Sequence, residues 1–340
     1  MALALACRGE PMTKYCIGLD AHMKTCTYRV KDHQGNLVDG KTIPSTREDL
    51  DLLLLEHPNA AIVLEATTVS RWIYDHLKTN GANVHLIHPV NIRRTLGRKS
   101  DNLDAGFLAD AFMLGALREC YVPPADIQVL RELARSRTFL VRERTKIMNR
   151  IHAKLRGRGI TSPTGSIFSK KNRAWLLEQD RVELPHLAQL IDHLSLAIRN
   201  TDQDVVAAMK KTPEIQLLES IPGFGPLTSL VMYSEVGDVS RFPSAEHLCA
   251  YFGIVPGESQ SSEVMHRGRI TRRGSSLARY VLVQAAWMHV THCPASSVTK
   301  SHKRLAKRIG KAKAIVATAR RLVKVSYHVL RDKRSFKADW

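Results

Sequence analysis

The chain has 340 residues, 44% of them hydrophobic and 24% charged, which suits a folded protein of about two domains and excludes a disordered, collagenous or disulfide-stapled chain. Its 51 Lys and Arg outnumber 32 Asp and Glu, giving a formal net charge of +19, and a surplus of that size on a folded protein attracts polyanions, nucleic acid first among them. No apolar run approaches the ~20 residues that cross a bilayer, so no membrane partner is expected.

From Tyr15 to about Val122 short apolar runs alternate with helical stretches. Strands are predicted over residues 15–20 and 25–30. The turn at Gln34-Gly35-Asn36 leads to a third run ending near Ile43. Leucines at helical spacing follow a Ser45 or Thr46 cap, and Ala60–Leu64 reads as a strand closed by Glu65. A helix over about 69–80 and a strand over 83–87 complete an α/β domain with a largely buried mixed sheet. Pro123-Pro124 marks the first boundary. Between Arg131 and Arg158 ten Lys or Arg face two Glu along one helical periodicity, a long basic helix with a coiled-coil character that Arg137 and Arg144 interrupt. A second helical stretch over about 173–209 can fold back as its partner. The last third reads as helices and loops, ending in one basic amphipathic helix: Lys300 to Arg334 holds thirteen Lys or Arg and one acid, Asp332. The six cysteines (Cys7, Cys16, Cys26, Cys120, Cys249, Cys293) form no Cys-x-x-Cys pair. That spacing excludes a zinc ribbon and points to reduced thiols in a cytoplasmic protein. Residues 1–7 lack the basic flank of a signal peptide, and Met12 is an alternative start.

Four acids stand out. Asp20 and Glu65 each end an apolar strand, a costly place for a carboxylate without a partner. Asp101 and Asp104, three residues apart at a predicted helix start, share one helical face. Together, four carboxylates at the strand ends of an α/β sheet make a hard-oxygen site for Mg²⁺ or Mn²⁺. Each also has a bland reading: a turn for Asp20, a solvated end for Glu65, a cap for Asp101 and a first-turn dipole partner for Asp104. Asp110, two turns further on, reads as a bystander.

In the last third, Ile221-Pro-Gly-Phe-Gly225 has the form of the hairpin in a helix-hairpin-helix, where Gly223, Gly225 and the amides of the next helix can hold a phosphate; a tight helix–helix turn is the plain alternative. Serines 259, 261 and 262 sit in a polar loop before Arg267, Arg269, Arg272 and Arg273. Arginines fork onto phosphate oxygens, and a serine hydroxyl becomes a nucleophile only with help from a base, metal or cation. A plain loop beside a backbone-binding cluster fits these residues as well.

Seven stretches, in order from Lys14 onward, resemble the insertion-sequence transposases that join a RuvC-like DEDD domain to a C-terminal serine transposase domain, with their Piv-like and MooV-like invertase relatives. They are Ile17-Gly-Leu-Asp-Ala-His22, Val63-Leu-Glu-Ala66, Lys99-Ser-Asp-Asn-Leu-Asp-Ala105, Ile221-Pro-Gly-Phe-Gly225, Tyr251-Phe-Gly-Ile-Val-Pro256, Gly268-Arg-Ile-Thr-Arg-Arg-Gly274 and Gly310-Lys-Ala-Lys-Ala-Ile-Val316. The resemblance implies a ribonuclease-H-like α/β domain over 14–124, an all-α coiled-coil linker over 125–210 and a helical transposase domain over 211–334. It implies that Asp20, Glu65, Asp101 and Asp104 are the metal ligands, and that Ser261 attacks a DNA phosphodiester to form a phosphoserine link. The family's serine precedes a glycine, and here Ser262 stands in that place. A homodimer or homotetramer, double-stranded target and donor DNA, and a structured bridge RNA as guide are also implied. Two rival readings are a hydrolytic DEDD nuclease of junction-resolvase type, which would not need the serine–arginine module, and a non-catalytic nucleic-acid-binding scaffold, which would not need all four acids.

Overall fold

The computed structural model describes residues 14–88, 101–261 and 264–337, and the chain divides between Val122 and Pro123 into two compact units. The first is built on one mixed sheet of β1 (Tyr15–Ala21), β2 (Thr25–Asp32), β3 (Leu37–Asp39), β4 (Thr42–Pro44), β5 (Ala61–Glu65) and β6 (Asn83–Ile87). The order is β3-β2-β1-β5-β6, with β4 also paired to β2. β1 runs antiparallel to β2 and parallel to β5, and β5 is parallel to β6. Central position explains the near-continuous apolar runs of β1 and β5, because both faces are covered. Ile17, Leu19, Ile62 and Leu64 pack with α1 (Arg47–Glu56) and α2 (Ser70–Thr79), whereas Cys16, Ala61 and Val63 pack with α3 (Asp101–Met113). Thr46 caps α1 by accepting from the Asp49 amide. The single run expected up to Ile43 is two three-residue strands. The chain turns at Gly40, where a Cβ would meet the Arg29 side chain at 2.5 Å and the Tyr28 carbonyl at 2.9 Å.

The second unit is helical, as expected. α4 (Ala125–Gly157) and α6 (Leu184–Lys211) run antiparallel, with α5 (Arg173–Glu178) between them in sequence. The two arginines that interrupt the apolar seam cross to the partner helix instead. Arg137 Nε donates to Asp202 at 2.9 Å and Arg144 Nη1 to Ser195 Oγ at 3.3 Å. Further on come α7 (Pro213–Glu219), α8 (Pro226–Val236), α9 (Ala245–Tyr251), α10 (Ser276–His292), α11 (Ser297–Ile309) and α12 (Lys311–Asp332). Ile315, Ala319, Leu322, Val323, Tyr327 and Leu330 of α12 lie in the main core of this unit.

Two expectations are corrected here. The basic stretch 300–334 is not one helix: Gly310, at φ +81°, ends α11 and opens α12, a left-handed conformation that favours glycine. The serine-rich segment is not a loop either. Pro256–Ser261 (β7) pairs antiparallel with Val264–Ile270 (β8). A two-stranded ribbon is held by backbone hydrogen bonds and needs no apolar alternation, so its polar side chains read as loop. Among the described residues the cysteines are free thiols, and burial pushes Cys16 up to about 12, which makes it a packing group rather than a nucleophile.

The core of the second unit contains a fully buried histidine. His289 Nδ1 is 2.7 Å from the Pro222 carbonyl and Nε2 is 2.8 Å from Ser296 Oγ. Burial holds its pKa below the ordinary histidine value. An unfolded chain takes up a proton below about pH 6.5 that the folded chain resists. The stability this residue supports is therefore fully present above that pH and is lost as pH falls toward 5. His289→Asn, whose amide can still donate to Pro222, is expected to flatten the fall in thermal midpoint between pH 7 and pH 5. Equal slopes in the two proteins would assign the pH dependence to other groups.

Candidate active site

β1 and β5 end side by side. Leu19 pairs with Leu64 in parallel register, so Asp20 and Glu65 take the next positions at the carboxyl ends of adjacent strands. Alternation sets their face: Asp20 follows Cys16 and Gly18, and Glu65 follows Ala61 and Val63, on the side that α3 covers. α3 lies against β1 because residue 18 is glycine. A Cβ there would stand 1.9 Å from the Ala105 carbonyl oxygen and 2.8 Å from the Ala109 nitrogen. Ala105 is one turn beyond Asp101, so the start of α3 reaches the strand ends. Asp101 and Asp104 lie in its first turn, where the helix dipole favours carboxylates.

The contacts follow from that placement. His22 Nε2 is 3.4 Å from Asp20 Oδ2 and 3.7 Å from Asp101 Oδ1. One ligand atom from each of Asp20, His22 and Asp101 lies within 4.8 Å of the other two. The Asp20 side chain is 18% exposed, whereas His22 and Asp101 are more than half exposed, at 54% and 56%, so the cluster opens to solvent. Glu65 and Asp104 share its neighbourhood by register and helical face but stand outside the closest group of three. Two carboxylates about 4 Å apart repel by about 1 kcal/mol in bulk water and about 4 kcal/mol at the dielectric of a protein surface. A divalent cation removes that repulsion, and two carboxylates with an imidazole form a donor set such an ion accepts. The residues present fit a metal.

His22 is a member of the cluster that the four-acid pattern does not include. The available signal was Asp-x-His at a strand end, since a period of two returns both side chains to one face. Asp110, read from the sequence as a bystander, is engaged by Lys31, whose Nζ donates to both its carboxylate oxygens at 2.6 Å. A second acidic group with a histidine (Asp39, Glu56, His57) is internally satisfied. Tyr28 donates to both acids, Lys41 pairs with Glu56, and the Gly40 amide donates to Asp39.

In the second unit α7 and α8 flank the turn 220–225, an order that the helix-hairpin-helix reading and the plain helix–helix turn share. Its two glycines differ in situation. Gly223, at φ +96°, presses on α10, where a Cβ would meet the Ala285 carbonyl at 2.4 Å and the His289 nitrogen at 2.8 Å, so packing accounts for it. Gly225 precedes α8 with open space where a Cβ would stand, beside a cavity of about 260 Å³ that Arg137 also lines. The backbone of Ser261 pairs with Val264 at the tip of the β7–β8 ribbon. The side chains of Ser261 and Arg267, and all of Ser262, lie outside the described residues. Arg269, Arg272 and Arg273 are exposed, and among the described residues none of the three has a carboxylate within ion-pair distance. The ribbon's base is locked by a further arginine that no sequence motif marks: Arg279 Nη1 donates to the carbonyls of Phe252, Arg273 and Gly274 at 2.7–3.1 Å. Among the described residues no helix is long and apolar enough to cross a membrane.

Comparison with known proteins shows what these segments are similar to. Residues 17–159 match a family described as transposase, with the DEDD domain of IS110-type elements, and residues 215–305 match the transposase IS116/IS110/IS902 family. The chain is similar to the transposase for insertion sequence element IS1111A of Coxiella burnetii, with 26% identity over 287 residues, 81% of this chain and 79% of that protein. It is similar to the transposase for insertion sequence element IS1328 of Yersinia enterocolitica, 26% identical across 81% of this chain and 83% of the other. Similarity to the pilin gene-inverting protein of Moraxella bovis is 33% over 153 residues, 43% of this chain and 47% of that protein. With an acidic cluster at the strand ends inside the first matched segment and a helical unit containing the second, the chain is similar over two separate segments to the IS110/IS116 family of insertion-sequence transposases.

Proposed function

We propose that the chain is a metal-dependent recombinase in which Asp20, Glu65, Asp101 and Asp104 hold divalent cations, Mg²⁺ with Mn²⁺ as a substitute, and Ser261 is the nucleophile. The observation that carries this reading is the cluster of Asp20, His22 and Asp101 within 4.8 Å at the end of the sheet, with Glu65 and Asp104 on the same side. The DEDD-type domain also points to a divalent metal. Such ions, when bound, neutralise charge that builds on a phosphodiester. The protein's own groups do the rest. Asp20 and Asp101 present oxygens from a rigid strand and helix, and His22 orients both. Arg267, Arg269, Arg272 and Arg273 grip phosphate oxygens and draw electron density from phosphorus. The Ser261 oxygen attacks, a P–Oγ bond forms as the P–O bond to the departing deoxyribose breaks, and the serine proton ends on the leaving oxygen. Rejoining is the reverse attack by a new strand's hydroxyl, which releases the serine.

In this reading residues 14–124 carry the metal site, 125–210 form a basic helical linker, and 211–334 carry the serine and bind DNA with help from Gly225, while Gly223 lets the turn pack on α10. A homodimer or homotetramer in the cytoplasm acts on target and donor duplexes, guided by a structured bridge RNA; the guide rests on the family resemblance. A denaturing gel with Mg²⁺, labelled element-junction DNA and RNA from the element's non-coding end tests the chemistry. The parent protein is expected to give a covalent adduct that Ser261→Ala abolishes. An adduct lost only in Ser262→Ala moves the nucleophile by one residue. Cleavage with no adduct at all replaces the recombinase with a hydrolytic DEDD nuclease.

A further inference from the structure

The basic C-terminal helix carries more charge than its packing uses. Arg321, Lys324 and His328 recur at spacings of three, four and seven, forming one stripe of α12 with Arg320 beside it, along a groove of about 790 Å³. Lys333, at φ +49°, turns the chain in the left-handed region, and the Arg334 amide donates back to the Val329 carbonyl at 3.2 Å. That turn sets Arg334 at the groove's end. The charges are unequally satisfied. Lys324 pairs with Glu246 at 2.5 Å, and Asp332 is held by Arg331 at 2.7 Å. Arg321 donates to the Ser297 hydroxyl at 3.3 Å. Among the described residues, Arg320, Arg321 and Arg334 have no carboxylate within ion-pair distance, and the buried Arg320 Nε has no hydrogen-bond acceptor. Ala317 and Val325 add an apolar lining between the cations.

We propose that this groove is a binding site for the phosphodiester backbone of duplex DNA, separate from the serine–arginine module. Its guanidiniums supply planar forks for phosphate oxygens, and the apolar lining suits the sugar edge. The inference rests on the transposase reading for its choice of DNA. Arg321→Gln/Arg334→Gln removes two charges at the surface and leaves Arg320 and the Lys324–Glu246 pair intact. Lys210→Gln/Lys211→Gln removes two exposed charges from the end of α6 and serves as the control. Binding of labelled duplex DNA is measured by anisotropy from 50 to 300 mM salt, with thermal midpoints confirming that each variant folds. Each phosphate that the protein no longer neutralises lowers the slope of log affinity against log salt by about 0.9. The groove variant is therefore expected to lose about 1.8 in slope and the control less than half of that. Equal losses in the two variants would overturn the site in favour of a general charge field. An unchanged slope in the groove variant would overturn it outright. A loss seen with a structured RNA probe and not with duplex DNA would overturn the DNA assignment. A parent protein that binds duplex DNA without any salt slope would overturn the transposase reading along with the groove.

Discussion

Gly18→Ala is expected to abolish metal-dependent DNA cleavage and to lower the thermal midpoint of the N-terminal unit by several degrees, with DNA affinity close to the parent's. The added methyl would stand 1.9 Å from the Ala105 carbonyl oxygen. Both partners are backbone, so no rotamer change relieves the clash and α3 itself must move. Overpacking of this kind costs about 1–3 kcal/mol. The larger effect is on the site, because Asp101 and Asp104 ride on the displaced helix while Asp20 stays on β1. A misplacement of about 1 Å at a reacting centre costs about 10²-fold in rate. Gly106→Ala, in the same helix, is the internal control. No atom lies within 4 Å of its added Cβ, and alanine gains up to about 1 kcal/mol of helix propensity there. It should keep its activity and melt slightly higher. A fully active Gly18→Ala protein would mean that α3 does not position the acids.

Asp20→Asn and Asp110→Asn should separate chemistry from stability. Both remove one carboxylate charge on the side of the sheet that α3 covers. Asp20 belongs to the open cluster with His22 and Asp101, so its amide variant is expected to lose at least about 10²-fold in cleavage while folding and binding normally. Asp110 holds Lys31, which is 15% exposed, and its loss leaves a mostly buried ammonium with a weaker partner. That variant should melt lower by an amount corresponding to about 1 kcal/mol and cleave at nearly the parent rate. A cleavage loss in Asp110→Asn as deep as that in Asp20→Asn would place Asp110 in the site.

The sheet was legible because β1 and β5 are buried on both faces and so read as continuous apolar runs, and because α1 carries a Thr cap before a leucine stripe. The acids stood out as types and spacings, each ending a strand or opening a helix. The reason Asp20 and Asp101 come together was not legible, since it depends on Gly18, whose role appears only when a helix backbone lies on it. His22 was hidden by lying just past the strand end. The β7–β8 ribbon escaped because the sequence Pro256–Ser261 is polar throughout and carries no apolar period. The break at Gly310 was obscured by an apolar stripe that continues across it in sequence while the backbone turns. Arg279 resembled the exposed arginines before it, and only its three carbonyl partners distinguish it.

The paired helices α4 and α6 are clamped unevenly along their length. One cluster, with Ile151, Leu155, Leu184 and Ile191, closes the far end, where Lys154 and Arg158 also hold Asp180. Ala134 and Val205 join the main core at the near end. Between Thr138 and Ile147 no residue of α4 is buried, and a crossing there is Arg144 to Ser195, with the buried Arg144 Nε lacking an acceptor among the described residues. The helices therefore form a beam with stiff ends and a compliant middle. A load applied at the far end bends the beam at its waist before it loosens either apolar clamp, so the arm can flex as a jointed lever while each end keeps its own fold.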